Sequence, residues 1–341
     1  MQRCLDLAKN GLGTTYPNPL VGSVIVYDHK IIGEGWHRKA GEPHAEVNAI
    51  HSVKDKSLLS KSTLYVNLEP CSHYGKTPPC SLLIAQMKIP NVVIGTIDYN
   101  DEVFGKGVSF LKNNGCNVTV GVLEKDCNHL NRRFFTFHQK KRPYIILKWA
   151  QTIDGFIFPE IKPKIKHEPI WISNEYSKQL VHKWRTEEVS ILVGTNTVLQ
   201  DNPKLNARTY FGKSPVRITM DKNLKINKNF NFYDNEIETI VFIDKKAKFT
   251  ENRECFEPID FSVNVTKQII DVLYKKGIQS LIVEGGSVTL QSFIDAGLWD
   301  EARVFIGNSK FLNGIEAPVF QGKIEKEIQV ESDKLIKYIN I

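Results

Sequence analysis

The chain has 341 residues, more than one ordinary hydrophobic core accommodates, so its length predicts two domains. Hydrophobic residues make up 41% and charged residues 24%, a globular balance, and no apolar run approaches the roughly 20 residues of a membrane span, which argues against a membrane protein. The net charge of +7, from 45 basic and 38 acidic side chains spread along the chain, fits a solvated lysine-rich surface or an attraction to phosphate-bearing ligands.

In chain order, Met1–Pro19 has no apolar leader, so the cytoplasm is the expected location. Two strands, Val21–Val26 and Lys30–Trp36, are expected around a turn at Tyr27–His29. Ala45, Val47, Ala49 and Ile50 predict a short helix opening near His44. STLYVNLEPC reads as a strand, PPCSLLIAQMKI as a helix with Pro near its start, and NVVIGTID as another strand. This alternation predicts an α/β layer structure with a mainly parallel sheet. KKRP, closed by Pro143, marks a boundary that gives domains 1–141 and 142–341. Apolar strands then recur at YIILKWA, VSILVG, PVRITMD, TIVFID and SLIVEGG, and DKNLKINKNFNFYDNE is expected to be a surface connection.

Cys71 and Cys80 flank SHYGKTPP, a spacing that suits neither a hydrophobic core nor a familiar redox pair. In a reducing compartment, thiols at special spacing are more often metal ligands or catalytic groups than disulfides. His44 adds an imidazole, and one imidazole with two thiolates makes a zinc site whose fourth position is left for water. Zinc lowers the pKa of that water to about 7. Glu46, two residues after His44, can pass a proton from water to a leaving amine, the H-x-E…P-C arrangement of zinc-dependent base deaminases. Other readings stay open at this point: a Cys71–Cys80 disulfide, a structural zinc site with His73 as fourth ligand, or a core histidine beside inert cysteines. The insert also offers Lys76, which suits a phosphate.

TTYPNPLVGSVIV, GEPHAEVNAI and LEPCSHYGKTPPC together closely resemble the bifunctional deaminase–reductase family of riboflavin biosynthesis. The long insert between the cysteines separates that family from cytidine and tRNA-adenosine deaminases. The resemblance implies an N-terminal cytidine-deaminase-like three-layer α/β/α domain and a C-terminal dihydrofolate-reductase-like α/β domain. It implies zinc on His44, Cys71 and Cys80, proton transfer by Glu46, and contacts of Asn18, His73 and Lys76 with the pyrimidine or its ribose phosphate.

In the second half, LIVEGGSVTLQSFI reads as a strand ending at Glu284, two glycines, and a helix opening at Ser287 whose free N–H groups suit a phosphate. It is not a G-x-G-x-x-G fingerprint, so no Rossmann domain is expected. LKWAQTIDGFI resembles the family's Lys-x-Ala-x-Ser/Thr-x-Asp-Gly strand, with Thr152 at the hydroxyl position, and the block from Trp171 to Arg208 resembles the one that follows it. By that resemblance Gln151, Trp171, Thr197, Asp201, Gly286 and Ser287 would lie along NADPH. Arg185, Leu205 and Arg208 would lie along the substrate, and Lys148 and Glu284 are candidates for polar contact near the reacting sugar. Pro169 stands where a small hydroxyl residue would be expected.

The implied function is two consecutive steps: zinc hydroxide would deaminate a diaminopyrimidinone ribosylamine phosphate, and NADPH would reduce its ribosyl group to ribityl. The expected partner is that phosphorylated pyrimidine, with no nucleic acid, no membrane, and a homo-oligomeric assembly. Competing readings are a nucleic-acid base deaminase with a C-terminal binding module, and a zinc-stabilised interaction protein with a degenerate site.

Overall fold

A computed structural model of the chain describes residues 1–74, 78–99, 104–160, 170–247 and 254–341. Packing divides it into two units, Met1–Lys141 and Arg142–Ile341.

The first unit runs α1 (Gln2–Ala8), β1 (Gly22–Tyr27), β2 (Lys30–Trp36), α2 (Ala45–Ser52), β3 (Thr63–Leu68), α3 (Cys80–Gln86) and β4 (Asn91–Thr96). It continues with α4 (Lys106–Asn113), β5 (Asn117–Val120), α5 (Glu124–Leu130) and α6 (Arg132–Lys140). Its sheet has the order β2-β1-β3-β4-β5. Strand β1 is antiparallel to β2 and β3, and the β3-β4 and β4-β5 ladders are parallel, so this sheet is mixed rather than mainly parallel. The reason is the two-residue turn: Asp28 and His29 both hold positive φ (47° and 58°), the backbone of a tight hairpin that folds β2 back along β1. Successive residues of β1 face opposite sides. Val24 packs with Cys4 and Leu7 of α1, whereas Ile25 packs with Ala49 and Ile50 of α2. Burial on both faces is why these strands read as continuous apolar runs.

The second unit runs β6 (Tyr144–Thr152), β7 (Phe156–Pro159), α7 (Glu175–Glu187), β8 (Ser190–Val193), α8 (Thr195–Asp201), β9 (Val216–Met220) and β10 (Thr239–Asp244). Then come β11 (Phe256–Ile259), α9 (Val265–Lys275), β12 (Ser280–Glu284), α10 (Ser287–Asp295) and β13 (Glu301–Gly307). The last strands are β14 (Gly314–Glu316), β15 (Lys323–Val330) and β16 (Asp333–Ile339). Nine strands form one sheet in the order β11-β10-β9-β8-β12-β6-β13-β16-β15, while β7 and β14 pair separately. From β11 to β13 every ladder is parallel; β16 and β15 close the far edge antiparallel. One face buries Leu147, Trp149, Leu281 and Val283 against Ile269 of α9 and Phe293 of α10. The other buries Ile191, Ile282 and Phe305 against Val181 and Trp184 of α7.

Helix α7 is fixed at its start by a cap. Asn174 accepts from the Ser177 N–H at 2.8 Å, and Asp333 accepts from the Asn174 N–H and the Ser177 hydroxyl, each at 2.7 Å. Such a cap stabilises a helix by about 1 kcal/mol. The expected surface connection after β9 is partly interior, because Ile226 and Phe232 are buried. Its cause is Arg217 of β9: a fully buried guanidinium needs partners, and the connection supplies the Asp234 carboxylate at 2.7 Å and the Ile237 carbonyl at 3.1 Å. Among the described residues no helix is long and apolar enough to cross a membrane.

Candidate active sites

In the first unit, His44 is the extended residue that precedes α2, and its side chain makes no cap hydrogen bond. It turns instead to two sulfurs: Nδ1 lies 3.6 Å from Sγ of Cys71 and 3.4 Å from Sγ of Cys80. The three donor atoms all lie within 4.8 Å of one another, and among the described residues they are the one such His/Cys/Asp/Glu group. Cys80 opens α3, and its backbone N–H donates to Cys71 Sγ at 3.3 Å. Hydrogen bonds from Cys80 and His44 pull the Cys71 thiol down to about 4, while Cys80, which keeps the shared proton and is buried, moves well above the ordinary thiol value. The pair therefore gives up one proton readily and the second only to a strong competitor such as a divalent cation. The hydrogen bond to Cys71 raises His44 to about 8. One imidazole nitrogen and two sulfurs converging on one point are the donor chemistry of zinc.

Glu46 follows in the first turn of α2 and is 3% exposed. Burial lifts its carboxyl to about 7, against the charge of His44. All six cysteines are free thiols. His73 is exposed and lies outside the cluster, and Lys76 falls outside the described residues. The Asn18 amide nitrogen is 3.0 Å from Nε2 of His37, whose Nδ1 is 3.1 Å from the Pro43 carbonyl. These contacts fit one tautomer, with Nδ1–H donating to Pro43 and Nε2 accepting from Asn18. The His37 ring also meets His44 edge-on at 5.3 Å. Sequence reasoning missed His37; its signal was a histidine one residue past the end of β2.

A second omission is the brace behind the cysteines. The buried Glu69 carboxylate accepts from the backbone N–H groups of Asp98 at 3.2 Å, Gly105 at 3.0 Å and Val108 at 3.0 Å. A Cβ at Gly107 would stand 2.1 Å from the Pro70 carbonyl oxygen, so α4 rests on the backbone immediately before Cys71 and only glycine fits there.

In the second unit, register places Glu284 of β12 opposite Lys148 of β6. Glu284 Oε2 lies 3.1 Å from Arg185 Nη2 and 3.9 Å from Lys148 Nζ. Burial pushes the Glu284 carboxyl up, but the two cations outweigh it and hold it below the usual carboxylate value. Burial lowers Lys148. Arg185 Nε and Glu284 Oε1 are buried without hydrogen-bond partners among the described residues. That leaves one charged donor and one charged acceptor for a bound molecule. Arg185 Nη1 also donates to the Asn206 carbonyl at 3.2 Å, beside buried Leu205, which holds φ 51°. Arg208 is exposed and donates to Asn206 Oδ1 at 3.1 Å.

Thr197, in α8, accepts from the Gly286 N–H at 3.3 Å. Gly286 caps α10, Ser287 is its first residue, and Gly285 holds φ 128°. Since β8 and β12 are parallel neighbours, their C-terminal turns bring the starts of α8 and α10 together. A Cβ at Gly285 would crowd Thr197 Oγ1 at 3.2 Å and the Gly194 nitrogen at 3.4 Å, so glycine keeps this crevice open. A crevice at helix N-termini and strand ends suits the phosphates of a dinucleotide such as NADPH. The other expected cofactor residues lie in different surroundings. Gln151 accepts from Trp149 Nε1 at 2.8 Å, Trp171 is 56% exposed beneath Lys178, 3.7 Å from its ring, and half-buried Asp201 ends α8. Thr152 braces the Asp154–Gly155 turn by accepting from the Phe156 N–H at 3.0 Å. Pro169 falls outside the described residues.

Two family profiles match the chain: the cytidine and deoxycytidylate deaminase zinc-binding region over residues 1–96, and the RibD C-terminal domain over residues 143–339. The riboflavin biosynthesis protein RibD of Aquifex aeolicus is 39% identical, covering 98% of this chain and 94% of the relative. That of Actinobacillus pleuropneumoniae is also 39% identical, covering 93% and 85%. The crystal structure of the Thermotoga maritima diaminohydroxyphosphoribosylaminopyrimidine deaminase/5-amino-6-(5-phosphoribosylamino)uracil reductase has a TM-score of 0.89 and 36% identity, covering 100% of this chain and 97% of that one. Acinetobacter baumannii RibD gives a TM-score of 0.86 at 30% identity, covering 99% and 97%.

Proposed function

The chain belongs to the RibD family of riboflavin biosynthesis, and from that membership we propose that it performs two consecutive reactions on a phosphorylated pyrimidine. Met1–Lys141 is the deaminase and Arg142–Ile341 the reductase. The observation that carries the reading is the meeting of His44, Cys71 and Cys80 at one point, with buried Glu46 two residues after His44 in the first turn of α2.

His44, Cys71 and Cys80 would hold zinc, which when bound supplies a Lewis acid that makes water nucleophilic near neutral pH. Glu46 takes the proton that water loses and gives it to the exocyclic amine, so the carbon–nitrogen bond breaks and ammonia leaves. A carboxyl lifted toward neutrality by burial suits both halves of that transfer. Asn18, oriented by His37, contacts the pyrimidine, and His73 and Lys76 serve the ribose phosphate.

NADPH, when bound, supplies the hydride that opens the ribosyl group to ribityl. Thr197, Gly286 and Ser287 would hold its phosphates at the start of α10, with Gln151, Trp171 and Asp201 along the rest. The unpartnered Arg185 Nε and Glu284 Oε1 bind a substrate oxygen and a substrate hydroxyl, and Lys148 keeps Glu284 ionised. Arg185 and Arg208, which both donate to Asn206, take the phosphate. The protein acts in the cytoplasm as a homo-oligomer, without nucleic acid.

Replacing Glu46 with Gln separates the two reactions. The variant should keep its zinc, release no ammonia, and still consume NADPH when given the deaminated intermediate. Undiminished ammonia release would overturn the assignment.

A further inference from the structure

Helix α7 places His182 and Arg185 one turn apart, and both reach the same acceptor. His182 Nδ1 lies 3.0 Å from the Asn206 carbonyl oxygen, and Arg185 Nη1 donates to that oxygen at 3.2 Å. The Asn206 side chain accepts from Arg208 Nη1 at 3.1 Å. One residue thus joins three basic side chains, two through its carbonyl and one through its amide oxygen. The turn is not relaxed: the preceding Leu205 is 4% exposed and holds φ 51°, a region that bulky side chains avoid. Contacts from α7 must hold it.

Because the Asn206 oxygen only accepts, Nδ1 of His182 carries the hydrogen. Burial, then the charges of Arg185 and Arg208, push the imidazole down to about 4, so the ring stays neutral at working pH. A donor that adds no charge fixes the turn without adding a third cation to the pair that takes the phosphate. A lysine could not do the same.

We propose that His182 is a positioning residue of the reductase unit: its Nδ1–H clamps the Asn206 carbonyl and so sets the spacing of the Arg185 and Arg208 guanidinium groups for the substrate phosphate. This rests on the reading of Arg142–Ile341 as the reductase.

The test uses the full-length, zinc-loaded protein, the deaminated ribosylamine phosphate and NADPH, with His182→Leu and His182→Asn. Leu keeps much of the volume and removes the donor; the Asn amide nitrogen stands close to where Nδ1 stood and restores it. In the Leu variant, loss of one hydrogen bond in the clamp should raise the KM for the phosphorylated substrate about tenfold. Its kcat and its KM for NADPH should stay within about twofold, a loss of uniform binding. Competitive inhibition by inorganic phosphate should weaken by a similar factor, and Asn should bring both constants back to within about threefold of wild type. An unchanged substrate KM and phosphate inhibition in the Leu variant would overturn the inference. So would a joint fall of kcat and thermal stability that Asn does not rescue, the mark of a merely structural histidine. Wild-type protein that consumes no NADPH would overturn the reductase reading and this inference with it.

Discussion

Gly107→Ala tests whether the Cys71–Cys80 pair, proposed to bind metal, depends on the brace behind it. The added methyl would sit 2.1 Å from the Pro70 carbonyl oxygen and 3.2 Å from both Cγ and Oε1 of Glu69. Close carbon–oxygen contacts are about 3.3 Å, so backbone must move by about 1 Å. Two movements are available. If α4 withdraws, it stretches the bonds from Gly105 and Val108 to Glu69, and hydrogen bonds to a charged group stabilise by about 1.5–3 kcal/mol each. If Pro70 withdraws, Cys71 moves with it and the three-donor geometry opens. Overpacking of this kind costs about 1–3 kcal/mol, and Ala's better helix propensity recovers at most about 1 kcal/mol. A backbone clash this close stands at the upper end of that cost and leaves about 2 kcal/mol after the recovery; for a unit of this size each kcal/mol lowers Tm by about 3 °C, so a fall of about 6 °C is expected. Calorimetry with and without chelator, alongside zinc titration, reads both effects. A variant with wild-type Tm and wild-type zinc affinity would refute the coupling of α4 to Cys71.

Two further outcomes follow from the sites. Cys80→Ser replaces one of the two sulfurs of the cluster, at the first position of α3, with a harder oxygen, so zinc content measured by metal analysis should fall to near zero and ammonia release with it, while reduction of supplied intermediate continues. Glu284→Gln leaves Lys148 and Arg185 as largely buried cations without their shared counter-charge, a loss approaching the about 3–5 kcal/mol of a fully buried pair. NADPH consumption should vanish and the second unit's thermal transition should drop, with ammonia release unchanged; a stable, active variant would contradict the role given to that carboxylate.

The legible parts of the fold were those written in local pattern. His44, Glu46, Cys71 and Cys80 carry their chemistry in residue type, and the strands around them are short apolar runs that fit a sheet buried on both faces. What stayed hidden depends on pairing across the chain. Arg217 reads as an ordinary strand charge until Asp234 comes back to meet it, and that return leaves the expected surface connection partly buried, at Ile226 and Phe232. Glu69 braces residues well beyond it in sequence, and Gly107 looks like one more flexible glycine until Pro70 lies against it. The joining of His182 and Arg185 runs through a backbone carbonyl, which no side-chain motif encodes. Family resemblance named most of the reductase residues, and among the described residues direct contacts join Lys148, Arg185 and Glu284, and Thr197 with Gly286.

The most direct test supplies the purified, zinc-loaded protein with the diaminopyrimidinone ribosylamine phosphate, follows ammonia, and then adds NADPH and follows its absorbance. Two active sites acting in order predict ammonia release before NADPH is present and NADPH consumption only afterwards, on the deaminated product. Ammonia without later NADPH consumption would contradict the reductase half, and no ammonia from protein with zinc bound would contradict the deaminase on which the whole sequence of steps depends.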